Sequence, residues 1–114
     1  MKIELKPEWQ DQAEAAALLR LMKLCFRHHG GSTVPIMYFL CSLWNGYDYK
    51  PDMQLLCKRI DHEHFEDVLT VMRLMRRTGE THDFFVNGDE VMLELSKYIK
   101  RTREEEEPEE RSGM

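Results

Sequence analysis

Between Thr33 and Gly46 the chain reads TVPIMYFLCSLWNG, and from Val34 to Trp44 only Pro35 and Ser42 are neither apolar nor aromatic. The run carries no charge, so a helix built from it has no face to offer water and must be surrounded by the rest of the chain. About 11 residues are too few to cross a bilayer, which takes roughly 20. Helix punctuation brackets the run. Ser32 or Thr33 can cap free N–H groups, Pro35 sits in the first turn where its missing donor costs nothing, and Asn45-Gly46 can take a left-handed exit. The stretch therefore predicts a buried central helix at 34–44, around which other helices must pack.

Those helices are visible as periodic patterns. Leu18, Leu21, Met22 and Cys25 recur at helical spacing within 8–29, and Gly30-Gly31 closes that segment. Arg20, Lys23 and Arg27 form a basic stripe on its other side, which reads as a solvated face. Pro51 and Asp52 open a short helix through Arg59, with Met53, Leu56, Cys57 and Ile60 on one side. From Asp61 to Arg77, Phe65, Val68, Leu69, Met72 and Met75 mark a buried stripe, while Glu66, Thr70, Arg73 and Arg77 repeat along the outer face. Arg76 and Arg77 at the end of this helix suit its dipole without any ligand.

Residues 82–93 admit two readings. Asn87-Gly88 can turn a hairpin, or Asn87 can cap a helix in which Val91, Met92, Leu95, Tyr98 and Ile99 follow helical spacing. The helical pattern is the longer and is favoured, with Phe84-Phe85 plugging the core from an extended loop.

The expected fold is thus all-α: a bundle of about five helices around the buried segment 34–44, one domain over 1–102 and a disordered acidic tail at 103–114. The formal charge of −5 is concentrated in that tail, since residues 1–103 hold 15 Lys+Arg and 15 Asp+Glu, whereas 104–114 add six Glu and one Arg. A neutral body lacks the broad positive field usual in nucleic-acid binders. Met1-Lys2 is followed by no apolar stretch of signal-peptide type, and a cytoplasmic protein with no membrane partner is expected.

Chemistry-bearing motifs are sparse. Cys25, Cys41 and Cys57 form no C-x-x-C pair and fall inside apolar helical patterns, as reduced buried thiols do. His28, His29, His62, His64 and His82 lack the spacings that converge on zinc, so neither metal nor cofactor is expected. No nucleophile elbow, phosphate-cradling glycine loop or dinucleotide fingerprint occurs, which makes catalysis unexpected. Trp44, Tyr47 and Tyr49 cluster around a turn and read as a recognition surface, although they also suit a lid over the core.

One resemblance adds to this reading. The segment Phe39-Leu40-x-x-Leu43-Trp44-Asn45-Gly46, the step Ile60-Asp61 and the helix Phe65-Glu66-Asp67-Val68-Leu69-Thr70-Val71-Met72-Arg73-Leu74 resemble a group of small bacterial proteins known only as a domain of unknown function. The similarity spans 35–99, leaves the first helix outside, and implies a bacterial, phage- or plasmid-related origin without supplying site residues. The leading expectation is a non-catalytic protein-binding module, self-association included. One alternative is a winged-helix-like nucleic-acid binder, with a hairpin at 82–93 and with Arg73, Arg76 and Arg77 on phosphates. Another, following from the mobile-element resemblance, is an inhibitor of a host defence system.

Overall fold

The computed structural model describes residues 1–28 and 30–106. Five α-helices run in chain order: α1 Ala13–Arg27, α2 Val34–Ser42, α3 Met53–Lys58, α4 His62–Arg77 and α5 Gly88–Glu106. A short 3-10 turn at Pro7–Trp9 precedes α1, and two others, Gly31–Thr33 and Thr81–Phe84, lead into α2 and α5. Among the described residues there is no strand, only an antiparallel bridge between Leu5 and Phe85. The bundle expected from the sequence is therefore the observed architecture. α5 runs four residues into the segment expected to form the tail, and residues 107–114 lie outside the described residues.

α2 is buried as its composition requires, with Pro35, Ile36, Met37, Phe39, Leu40 and Cys41 all inside. Its ends differ from expectation. Instead of capping, the Thr33 hydroxyl donates back toward the carbonyls of His28 at 2.7 Å and Gly30 at 2.8 Å, tying off the chain that leaves α1. At the other end Gly46 does not adopt a left-handed conformation; only Gly31 (φ 61°) and Gly79 (φ 69°) do among the described glycines. The exit is a tight turn in which the N–H of Asn45 donates to the Cys41 carbonyl at 2.8 Å.

Beside α2 lie α1 and α5, whereas α4 makes its extended contact with α1. Its buried residues are Val68, Val71 and Leu74, so the inward face is rotated from the predicted stripe. Phe65 and Leu69 are half-buried and Met72 is 40% exposed. Charged groups fix this rotation: Asp67 faces α1 and is gripped by Arg20, and Arg77, assigned to the outer face by periodicity, reaches Glu14. α3 likewise buries only Leu56, leaving Met53 and Cys57 exposed.

The ambiguous segment resolves as loop plus helix. Phe84 and Phe85 are fully buried, and Val91, Met92, Leu95 and Ile99 of α5 join them in the central cluster. The N-terminal lead-in holds the loop in place, since Lys6 N–H donates to the Phe84 carbonyl and Val86 N–H to the Glu4 carbonyl, both at 2.9 Å. Trp9 then packs on the Phe84 ring at a centroid distance of 4.6 Å. The hairpin that a winged fold would need is absent, because Gly88 already begins a helix.

Candidate functional site

Between α2 and α3, residues 43–52 form a loop closed by its own polar groups. The Asn45 side chain donates from Nδ2 to Asp48 Oδ2 at 2.9 Å and accepts the Asp48 N–H at 3.2 Å, an Asx-type closure open to Asn and Asp in turns. Lys50 Nζ donates to the Gly46 carbonyl at 2.8 Å, clasping the loop from its far side. Trp44 and Tyr49 stack with centroids 6.4 Å apart and both pack on the central cluster. Tyr47, at the tip, is 90% exposed. The three aromatics thus split into two roles: Trp44 and Tyr49 anchor the loop, and Tyr47 stands out from it.

The far end of the loop forms one wall of a cleft of about 520 Å³. Gly31, Ser32, Val34, Pro35 and Tyr38 line one side, and Lys50, Asp52, Leu55 and Arg59 the other. Its surface is part apolar, from Val34, Pro35 and Leu55, and part cationic, from Lys50 and Arg59. Asp52 is already engaged as the N-cap of α3, accepting the Leu55 N–H at 3.1 Å. An apolar cleft with cations at its edge can take an extended segment that carries a carboxylate. Sequence reasoning missed Tyr38, Lys50 and Arg59. They are scattered over 22 positions, and only the fold of α2 back toward α3 brings them together.

The arginines lie on another element. Arg73, Arg76 and Arg77 all belong to α4, and Arg77 is occupied by Glu14, leaving Arg73 and Arg76 exposed. The structure does not join them to the aromatic loop in one surface that its contacts reveal.

Of the histidines, His82 approaches Glu80 at 3.8 Å and Asp83 at 3.4 Å through Nε2. Those two carboxylates are already used in a reciprocal capping box at the 3-10 turn. His64 Nε2 lies 3.9 Å from Asp61, the residue that precedes α4. Burial pushes the Cys41 thiol up to about 12 and that of Cys25 higher still, so both stay protonated and unreactive at neutral pH. Cys57, expected inside, is exposed, because α3 is too short to bury more than one face.

A five-helix domain with a closed aromatic loop and an adjoining cleft is the class of protein defined so far. Residues 15–101 match a family of unknown function, DUF7673, and the chain belongs to that family. The match begins inside α1, so the first helix, left outside the resemblance seen in the sequence, is part of the family domain. No curated protein and no solved structure matches the chain. No helix among the described residues is long and apolar enough to cross a membrane.

Proposed function

We propose that the protein is a non-catalytic protein-binding module of bacterial or mobile-element origin that works in the cytoplasm and engages its partner through the 43–52 loop and the adjoining cleft. The observation that carries this reading is Tyr47, a large ring 90% exposed at the tip of a loop held by its own hydrogen bonds. A ring kept exposed on a pre-ordered loop offers contact area at low entropy cost, the property that makes tyrosine frequent at binding hot spots. Lys50 and Arg59 favour a partner segment bearing Asp, Glu or a chain-terminal carboxylate at the mouth of the cleft.

The test is capture of partners from a lysate of the native host by the tagged full chain, with and without nuclease, in parallel with Tyr47→Ala and Arg59→Glu. A near-stoichiometric protein that survives nuclease and is lost with both variants is the expected result. Recovery that vanishes with nuclease and is indifferent to Tyr47→Ala would replace this reading with nucleic-acid binding through Arg73 and Arg76.

A further inference from the structure

We propose that the outer face of α4 is the interface of a two-fold symmetric dimer, in which α4 of one copy lies antiparallel to α4 of a second. This goes beyond the loop-and-cleft reading, shares no residue with it and stands or falls separately.

Phe65, Leu69 and Met72 fall at i, i+4 and i+7, one stripe along α4 beside, rather than on, the face that Val68, Val71 and Leu74 turn into the core. The extended contact that α4 makes with another helix is that with α1, and at helical spacing the stripe falls on the side away from Val71 and Leu74. Met72 is 40% exposed, and Phe65 and Leu69 keep a smaller part of their surface open beside it, so the apolar surface lies in a row rather than scattered singly.

Charge selects the occupant. Glu66 flanks the stripe toward its start, and Arg73 and Arg76 flank it toward its end. Among the described residues none of these three is engaged in an ion pair within the chain. A two-fold axis passing close to Leu69 sets residues opposite one another whose numbers add to about twice 69. It therefore brings Arg73 against Glu66 of the second copy, Arg76 against the Asp61 end of its α4, and Phe65 against Met72, each contact occurring twice. A stripe that is apolar in the middle, acidic at one end and basic at the other is complementary to itself in the antiparallel sense, which is what an isologous interface requires. A parallel pairing would oppose like charges along its whole length.

One helix pair buries less surface than the roughly 1,600 Å² of a standard specific interface, so the dimer is a weak one that forms in the micromolar range. Sedimentation velocity of the full chain, from micromolar to near-millimolar concentration, reads it directly. The wild type is expected to shift from monomer to dimer over that range. Arg73→Glu, an exposed change that spares the core, opposes two Glu at both symmetry-related positions and is expected to weaken the dimer about tenfold or more. Combining it with Glu66→Arg reverses both partners and is expected to restore the dimer, whereas Tyr47→Ala leaves it unchanged. Circular dichroism checks that each variant keeps its helices. A wild type that stays monomeric throughout, or a dimer indifferent to Arg73→Glu, or a double variant as weak as the single one, would overturn the proposal.

Discussion

The junction between the Thr81–Phe84 turn and α5, and the pair formed by α1 and α4, are held together by opposite means. At the junction a Cβ added to Gly88 would sit 1.8 Å from the His82 carbonyl oxygen, and Phe84, Phe85, Met92 and Leu95 are fully buried around it. The side chains packed there are apolar, and Glu80 and Asp83 only cap the turn at its surface. Across the α1–α4 seam, by contrast, Val68, Val71 and Leu74 are the buried residues of α4, and Arg20–Asp67 and Glu14–Arg77 tie the edges. Close packing admits no freedom, so the junction fixes the fold. Surface ion pairs contribute little energy but set rotation and register, so the seam positions α4 while leaving its outer side free to meet something else.

The largest effect that sharpens this contrast is expected from Gly88→Ala. With backbone rather than a flexible side chain in the way, the turn and α5 must separate, and a loss of about 3 kcal/mol or more in urea unfolding is expected. Gly30→Ala, where nothing lies within 4 Å, is the control and should stay within about 0.5 kcal/mol. Equal effects at the two glycines would mean that the junction is looser than its geometry. Next in size comes Leu40→Ala in α2, fully buried, for which about 2–5 kcal/mol is expected, against less than about 1 kcal/mol for Met72→Ala on the open side of α4. A Met72 effect as large as that of Leu40 would erase the difference between the two regions.

A third test uses pH. Cys25 of α1 and Cys41 of α2 keep their protons in the folded protein, Cys41 to about 12, while the unfolded chain begins to lose them near 9.0. Above that value the unfolded state binds fewer protons than the folded one, so stability falls as pH rises. The slope is up to about 1.4 kcal/mol per pH unit for each thiol, with no contribution below it. Other groups titrate there too, so the measurement is the difference in slope between wild type and the Cys25→Ala/Cys41→Ala variant in urea melts from about pH 8, below the onset, to about pH 11, well inside the window. In the native protein near pH 8, thiol reagents should modify Cys57 alone, with the other two following only on unfolding. Fast labelling of all three would place the thiols of the α1–α2 contact nearer solvent than their burial.

How legible these features were depended on what encodes them. The burial of α2 was plain, because a run without polar residues has one solution in water. The rotation of α4 was not. Periodicity finds an apolar arc, and here the arc from Phe65 round to Leu74 is wider than the face that α1 covers, so the choice fell to Asp67 meeting Arg20, 47 positions away. Cys57 was misplaced for a related reason: a six-residue helix buries one residue, Leu56, whatever its pattern offers. The lead-in was invisible because the role of Leu5 depends on a bridge to Phe85, far along the chain. Of the candidate site, the aromatics Trp44, Tyr47 and Tyr49 could be read from one turn, but not the division between stacked anchors and an exposed tip. The cleft beside them needed the path of α3 to exist at all.

The smallest expected effect tests the seam itself. Arg20 donates from Nε at 3.0 Å and from Nη2 at 2.8 Å to the two Asp67 oxygens, a bidentate pairing that favours the upper end of what surface pairs contribute. Its side chain is 61% exposed, however, while that of Asp67 is only 17% exposed. A double-mutant cycle of Arg20→Ala and Asp67→Ala is therefore expected to give a coupling of about 0.5–1 kcal/mol that shrinks as salt is added. The two single variants should be unequal. Asp67→Ala releases a guanidinium that water already reaches, whereas Arg20→Ala strands a largely covered carboxylate and should cost more. If the seam were instead held by its charges, the coupling would exceed 2 kcal/mol and resist salt, a range that exposed pairs of about 0–1 kcal/mol do not enter. The stability of the α1–α4 seam, and not only the rotation of α4, would then depend on one ion pair rather than on Val68, Val71 and Leu74.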